Sequence, residues 1–116
     1  IRYPLGMSDS SMADLSVTEL CAARAAGTGL RLLDVREPSE LVIASIPVDA
    51  AIPLGELPER FSELDPNAEW AVLCRSGGRS GNAAQFLREQ GFTRVHNVAG
   101  GILAWAKEID PTMTTY

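Results

Sequence analysis

The stretch Cys74-Arg75-Ser76-Gly77-Gly78-Arg79-Ser80 places one cysteine at the head of a short basic turn with two glycines. The apolar run before it, residues 69–73, is typical of a buried parallel strand. The run after it, residues 80–91, spaces its apolar side chains as one helical face and ends at a glycine suited to a C-terminal cap. The turn therefore joins the carboxyl end of a strand to the amino end of a helix. This junction predicts an α/β fold with a ligand site at that edge of the sheet.

The same turn has the composition of an anion-binding loop. A helix N-terminus offers unpaired N–H groups and a partial positive charge, and glycines allow positive φ angles at which successive N–H groups converge. We expect the convergence point to be Sγ of Cys74. The predicted cradle around that sulfur consists of Arg75, Ser76, Gly77, Gly78, Arg79 and Ser80. Such surroundings lower the pKa of a thiol from about 8.5, so Cys74 is predicted to be a nucleophile that needs no histidine base.

The two arginines of the loop predict an anionic substrate. A thiolate beside Arg75 and Arg79 fits attack on an anionic sulfur or phosphorus centre. The structural alternative is a plain glycine-rich turn in which the cysteine and the arginines happen to be exposed.

The bulk composition limits the remaining classes of protein. A chain of 116 residues, 46% hydrophobic and 22% charged, is about one globular domain. A net charge of -5 argues against nucleic-acid binding, because the loop holds the only tight basic cluster. The sequence contains no apolar run as long as a membrane span and no signal-peptide core, so we predict a cytoplasmic location. One histidine and two separated cysteines lack the spacing of a metal site, and no cofactor is predicted.

The rest of the chain alternates predicted strands with predicted helices. Residues 1–13 are predicted to be a linker, 14–110 one domain and 111–116 a C-terminal tail. Predicted strands span residues 30–35, 51–54, 69–73 and 93–98, and predicted helices span 16–26, a short stretch from Pro38, 57–64, 80–91 and 102–109. Cys21 is predicted to face inward from the first helix. The alternation predicts an α/β domain whose mainly parallel sheet is flanked by helices.

Three motifs, in order, resemble the rhodanese family. The span from Cys74 to Arg79 is similar to the six-residue loop of rhodanese sulfurtransferases, whereas tyrosine phosphatases place five residues, not four, between cysteine and arginine. Leu33-Asp34-Val35-Arg36-Glu37-Pro38-Ser39-Glu40 resembles the family's D-V-R-E-P-x-E signature. Gly100-Gly101-Ile102-Leu103-Ala104-Trp105 resembles its closing G-G-x-x-x-W motif.

The resemblance implies roles for particular residues. Cys74 would take a sulfur atom from thiosulfate or a persulfide donor, hold it as a persulfide and pass it to a thiophilic acceptor. Asp34 and Arg36 would either brace the loop, as an ion pair or as caps, or contact substrate, and we favour the bracing role. Gly100 and Gly101 of the closing motif are assigned to turn geometry, and Trp105 is assigned to core packing. Residues 44–49 lack the histidine and glycine of the family's G-H-I-P-G-A, so no role is carried over to them. Apart from the resemblance, His96 lies in a predicted strand and is assigned a structural or surface role.

The end of the chain suggests a partner. Residues 100–116 look like the end of the rhodanese domain that follows adenylyltransferases of the MoeB type. That resemblance implies a fused adenylyltransferase domain and a ubiquitin-like sulfur carrier protein whose adenylated C-terminus receives the sulfur, as in molybdopterin biosynthesis. Two alternatives stay open: a non-catalytic rhodanese-like interaction module, and a small cysteine phosphatase or arsenate reductase.

Overall fold

Short strands and helices alternate along the described part of the chain, residues 14–116 of the computed structural model. The predicted linker, residues 1–13, lies outside the described residues. The strands are β1 (Arg31–Asp34), β2 (Ala50–Ala51), β3 (Trp70–Leu73) and β4 (Val95–Asn97). The helices are α1 (Val17–Ala25), α2 (Pro38–Ile43), α3 (Leu57–Arg60), α4 (Gly78–Glu89) and α5 (Gly101–Glu108). Two 3₁₀ turns, Leu54–Glu56 and Phe61–Glu63, flank α3.

The four strands form one parallel sheet in the order β2-β1-β3-β4. The central pair is in register from Arg31 opposite Trp70 to Asp34 opposite Leu73, so β1 and β3 end side by side. The chain leaves β1 toward one edge and leaves β3 toward the other. This reversal is the switch point at which open α/β sheets form a ligand crevice. The predicted α/β domain with a mainly parallel sheet is confirmed.

Apolar side chains cover both faces of the sheet. The first cluster joins the strands to α3 and α4 and includes Leu33, Val72, Val95, Leu57, Ala83, Ala84 and Leu87. The second cluster joins the opposite face to α1 and α5 and includes Leu32, Ala71, Leu73, Val17, Leu20 and Ile102. Helices on both faces explain why β3 is a continuous apolar run instead of an alternating one.

Several local predictions needed correction. Helix α4 begins at Gly78 instead of Ser80, and only Gly77 of the loop's two glycines has a positive φ, of 108°. Gly78 is already the first helical residue. The predicted helix over 57–64 is a four-residue helix between two 3₁₀ turns. Cys21 is only partly buried.

The segment that departs from the family pattern, residues 44–49, connects α2 to β2. Ala44 and Ile46 are buried in it, and the main-chain oxygen of Pro47 accepts a hydrogen bond from Arg24. Asp49 extends the pairing along β1, because its N–H donates to Leu32 O at 2.9 Å and its Oδ2 accepts from Leu32 N at 2.8 Å. These contacts account for the segment as part of the scaffold.

Candidate active site

The cysteine-containing loop lies at the switch point of the sheet. Strand β3 ends at Leu73, and Cys74 follows directly with only 1% of its surface exposed. The neighbouring β1 ends at Asp34, and Arg36 follows two residues later. The thiol and the first motif therefore meet at the carboxyl edge of the two central strands, where α/β sheets place ligand sites.

Two hydrogen-bond donors of the loop lie against the sulfur. The N–H of Gly77 donates to Sγ of Cys74 at 3.1 Å, and the hydroxyl of Ser80 lies 3.1 Å from the same atom. The left-handed conformation of Gly77 allows this turn, since a side chain at that φ is strained. Ser80 is fully buried in the first turn of α4, so its hydroxyl is directed at the sulfur away from bulk water.

These donors set the protonation of the thiol. Burial by itself raises the pKa of Cys74. Hydrogen bonds from the Ser80 hydroxyl and from the N–H groups of Ser80, Gly77 and Ser76 outweigh burial, so the pKa of Cys74 lies below its ordinary value. A lowered thiol pKa raises the fraction of thiolate, the nucleophilic form of cysteine.

Helix α5 holds the loop from outside. Its first N–H groups bind the loop's carbonyls, with Ile102 N donating to Cys74 O at 2.9 Å and Leu103 N donating to Arg75 O at 3.1 Å. A Cβ on Gly101 would overlap both of those carbonyl oxygens. The sequence assigned Gly101 to turn geometry alone; the structure adds that its missing side chain lets the helix N-terminus touch the loop.

Arg79 points back to the first motif. Its guanidinium binds both carboxylate oxygens of Glu40 on α2, at 2.6 and 2.8 Å. This pairing is the main reason why the pKa of Glu40 falls to about 2. The sequence predicted Arg79 as an anion-binding residue, and in the structure its partner is a carboxylate of the protein itself.

Arg75 and Arg36 both contact Tyr116. Arg75 Nε donates to the main-chain oxygen of Tyr116 at 2.6 Å, with a second contact from Nη2, and its guanidinium lies 5.2 Å from the ring centroid. The Tyr116 hydroxyl accepts from Arg36 Nη1 at 2.8 Å and donates to Glu40 Oε2 at 2.9 Å. The tail thus joins the loop to the first motif.

Asp34 and Arg36 form a buried ion pair. Asp34 is fully buried and Arg36 is 1% exposed, and the guanidinium binds the carboxylate at 2.8 and 3.0 Å. Asp34 Oδ1 also accepts from the N–H of Arg36 at 3.0 Å, which fixes the turn after β1. This burial supports the bracing role over substrate contact.

Three residues of the site were missed from the sequence. Glu40 stands inside the first motif, where its carboxylate was a usable signal. Asn97 ends β4, and polar residues at the carboxyl ends of parallel strands are candidates for such a site. It donates to Gly77 O and accepts from Ser80. Tyr116 gave no local signal.

The remaining candidates lie apart from the loop. His96 Nε2 is 2.7 Å from Glu69 Oε2. Among residues 14–116, no three His, Cys, Asp or Glu side chains are grouped as metal ligands. No helix in the described part of the chain is long and apolar enough to cross a membrane.

The protein is therefore a parallel α/β domain that carries a cysteine in a loop between a strand and a helix, and it falls in the class of proteins with a cysteine at this position. Within that class, the sequence model of the rhodanese-like domain matches residues 16–108. The chain belongs to the rhodanese-like domain family, as the motifs predicted.

Relatives differ in how much of them this chain covers. It is 45% identical to YtwF of Bacillus subtilis, provisionally named a sulfurtransferase, over 71% of this chain and 79% of the relative. It is 43% identical to the rhodanese-like/PpiC domain-containing protein 12 of Arabidopsis thaliana, over 74% of this chain and 30% of the relative. It is 40% identical to the adenylyltransferase and sulfurtransferase MOCS3-1 of Zea mays, over 73% of this chain and 20% of the relative. The chain thus spans under a third of the latter two proteins.

Solved structures support the same family. A rhodanese-related protein of Thermoplasma volcanium is 34% identical with a TM-score of 0.76, covering 84% of this chain and 93% of that one. The human single-domain sulfurtransferase TSTD1 is 30% identical with a TM-score of 0.70, covering 82% of this chain and 96% of that one.

Proposed function

We propose that this protein is a sulfurtransferase in which the thiolate of Cys74 takes up a sulfur atom as a persulfide. The observation that carries the proposal is the buried sulfur at the end of β3, contacted by the Gly77 N–H and the Ser80 hydroxyl. The relatives named as sulfurtransferases support sulfur transfer as the general activity.

The reaction runs in two half-reactions. With thiosulfate as donor, the Cys74 thiolate attacks the outer sulfur, a new S–S bond forms, and the old S–S bond breaks with its electron pair leaving on sulfite. The negative charge moves from Sγ to the terminal sulfur of the persulfide. A nucleophilic acceptor, such as cyanide or a thiolate, then attacks that terminal sulfur, and the electron pair returns to Sγ as thiolate.

The surroundings of the sulfur suit both half-reactions. The N–H groups and the hydroxyl stabilise a negative charge on sulfur by hydrogen bonding, without protonating it. The loop already holds these donors in place, so they need not rearrange when the charge develops. The carbonyls of Cys74 and Arg75 bind α5, so they are occupied away from the anion. The loop therefore presents donors to the sulfur.

For the acceptor, we propose the adenylated C-terminus of a ubiquitin-like sulfur carrier protein. This acceptor is an electrophile, so the terminal persulfide sulfur attacks its carbonyl carbon and the C–O bond to AMP breaks. A thiol then cleaves the resulting acyl disulfide, which releases the carrier thiocarboxylate and leaves a mixed disulfide on Cys74, and a second thiol returns Cys74 to the thiolate. The tail resemblance supports this partner, as does the match to MOCS3-1, which is named for both adenylyltransferase and sulfurtransferase activities. On this proposal the chain acts beside or fused to an adenylyltransferase domain, in a pathway such as molybdopterin biosynthesis.

Intact mass spectrometry tests the first half-reaction. After incubation with thiosulfate and removal of the excess, the wild type should gain one sulfur atom, which dithiothreitol then removes. Cys74→Ser should gain none. Cys21→Ser is the matched control and should load like the wild type, since Cys21 lies on α1 outside the site. No gain in the wild type, or equal gain in Cys74→Ser, would overturn the proposal.

A phosphatase assay separates the principal chemical alternative. The proposed function predicts no Cys74-dependent hydrolysis of an aryl phosphate under conditions in which thiosulfate loads the thiol. Hydrolysis that is lost in Cys74→Ser, without sulfur loading, would assign the loop to phosphate chemistry instead.

A further inference from the structure

Asn97 binds both of the residues that contact the sulfur. Its Nδ2 donates to Gly77 O at 3.1 Å, and its Oδ1 accepts from the Ser80 hydroxyl at 2.5 Å. Asn97 belongs to β4, whereas Gly77 and Ser80 belong to the loop and α4. One side-chain amide, on a strand separate from the loop, therefore contacts both of the residues that donate to Cys74 Sγ.

The orientation of this amide is fixed by its neighbours. Gly77 O accepts hydrogen bonds and cannot donate them, so the NH₂ group of Asn97 must face it. Oδ1 then faces Ser80. A Cβ added to Gly77 or Gly81 would lie 3.7 or 3.6 Å from Nδ2, an ordinary contact distance, so the amide lies beside both glycines.

Ser80 has one hydroxyl proton and two acceptors within reach. Cys74 Sγ lies 3.1 Å from the Ser80 oxygen, and Asn97 Oδ1 lies 2.5 Å from it. Because a hydroxyl carries a single donor, it serves one acceptor at a time. Ser80 is fully buried, so a hydroxyl without an acceptor would be costly.

We propose that Asn97 is a positioning residue for sulfur transfer, whose Oδ1 accepts the hydrogen bond of the Ser80 hydroxyl whenever Sγ is uncharged. The inference rests on the proposed function, because it concerns how the Ser80 hydroxyl responds when persulfide formation moves the negative charge from Sγ to the terminal sulfur. With thiolate present, the hydroxyl donates to Sγ. With persulfide present, the charge is on the terminal sulfur, Sγ is a weak acceptor, and the hydroxyl turns to Asn97.

The amide thus balances the two states of the site. Without Oδ1, the Ser80 hydroxyl would have only Sγ as an acceptor in every state of the site. The thiolate accepts that hydrogen bond best, so the thiolate would be stabilised relative to both the thiol and the persulfide. A more stabilised thiolate is a weaker nucleophile. Loss of Asn97 should therefore lower the thiol pKa and slow sulfur uptake at the same time. A loop that was merely loosened would lose donors to sulfur, and its thiol pKa would rise.

Asn97→Leu and Asn97→Asp test the inference in opposite directions. Leu has nearly the shape of Asn but cannot accept a hydrogen bond, so the pKa of Cys74 should fall by about 0.5–1 unit. At a pH where the thiol is ionised in both proteins, thiosulfate should load the variant about two- to threefold more slowly. Asp keeps the acceptor and adds a like charge near the sulfur, so the pKa should rise by about one unit. The nearby charged groups are left in place: Arg75, Arg79, Glu40, the Asp34–Arg36 pair, and the His96–Glu69 pair at β4.

The thiol pKa is read from the pH dependence of alkylation by iodoacetamide, without any sulfur donor. Asn82→Leu, at an exposed position of α4, is the matched control and should match the wild type. In a Ser80→Ala background, Asn97→Leu should cause no further shift of the thiol pKa, because the hydroxyl that donates to Asn97 Oδ1 is gone. A rise in pKa for Asn97→Leu, or a shift that persists in that background, would overturn the inference.

If Asn97→Leu does not fold, Asn97→Asp decides the matter. An unchanged or lower thiol pKa in Asn97→Asp would also overturn the inference. The alkylation measurements need no sulfur transfer. If wild type takes up no sulfur from thiosulfate, the proposed function fails on its own, while the pKa pattern still shows whether Asn97 acts through Ser80.

Discussion

Among residues 14–116, Ser80 supplies the one side-chain hydroxyl that contacts Cys74 Sγ, in addition to the loop's N–H groups. In Ser80→Ala the sulfur stays buried but loses that donor, so the pKa of Cys74 should rise by about one unit. The fraction of thiolate near neutral pH falls accordingly. The measurement is the pH profile of iodoacetamide alkylation, and Ser62→Ala, at an exposed residue outside the loop, is the control. An unchanged profile in Ser80→Ala would show that the N–H groups alone set the thiol pKa.

The Asp34–Arg36 pair is the most deeply buried charge pair in the described structure, with both side chains at 0% exposure. Asp34→Asn leaves the guanidinium buried without its counter-charge, so unfolding should become easier by about 3 kcal/mol. Urea denaturation measures the difference. Arg60→Gln is the matched control, because its ion pairs with Glu56 and Glu63 are exposed, and it should leave stability unchanged. Equal effects of the two variants would contradict the bracing role of Asp34.

At the scale of elements, α5 is held against the loop by a contact that only glycine allows. Gly101 has φ +58°, and a Cβ there would overlap Cys74 O and Arg75 O. Gly101→Ala should lower the unfolding free energy by about 3 kcal/mol, from strain and overpacking together, and should reduce thiosulfate loading. Gly55→Ala is the control, since its φ is ordinary and nothing lies near its missing Cβ. Full stability and loading in Gly101→Ala would mean that α5 can back away from the loop.

Helices α2 and α4 are joined by the Glu40–Arg79 pair. Arg79 is the main reason that the pKa of Glu40 is about 2 in the folded protein, against an ordinary value of 4.5. Because the folded value is the lower one, the pair stabilises the fold fully above about pH 4.5 and stops doing so as the pH falls toward 2. Glu40→Gln should therefore be less stable than wild type near neutral pH, and the difference should disappear in acid. Urea denaturation at several pH values checks this, and a constant difference would contradict it.

The order and type of the elements were predictable because hydrophobic period and capping residues are local properties. Ser16 caps α1 with a reciprocal bond to Glu19, as its S-x-x-E spacing predicts. The start of α4 was placed two residues late, at Ser80, because both loop glycines were assigned to the turn. Only Gly77 has a positive φ, and the sequence does not distinguish two adjacent glycines. The length of α3 was overestimated, since a helical period does not separate α-helix from 3₁₀ turns.

At the scale of the whole molecule, the site depends on contacts between residues far apart in sequence. The cysteine and its loop could be predicted because they are contiguous. Asn97 lies 17 residues from Ser80, Glu40 lies 39 from Arg79, and Tyr116 lies 41 from Arg75. A single sequence holds no direct information on which of these meet, because the meeting depends on strand order and on the path of the tail.

Tyr116 contacts Arg75, a residue predicted to bind the anionic substrate, so we expect the tail to compete with that substrate for Arg75. Arg75 donates to the main-chain oxygen of Tyr116 and lies against its ring, so its positive charge is partly occupied. Tyr116→Ala removes the ring and the hydroxyl that anchor the tail to Arg36 and Glu40, and it frees Arg75 for anions. The KM for thiosulfate should fall about threefold, which corresponds to roughly 0.6 kcal/mol, with a steeper dependence on salt.

Tyr116→Phe is the matched variant for this prediction. It keeps the ring against Arg75 and removes only the hydroxyl, so the main-chain contact should persist and the KM should change less than in Tyr116→Ala. Cys74 has no contact with Tyr116 among its hydrogen-bond partners, so alkylation should give the same thiol pKa in both variants. Steady-state kinetics with thiosulfate separate the possibilities. A KM that rises in Tyr116→Ala would show that the tail builds the anion site instead of competing for it.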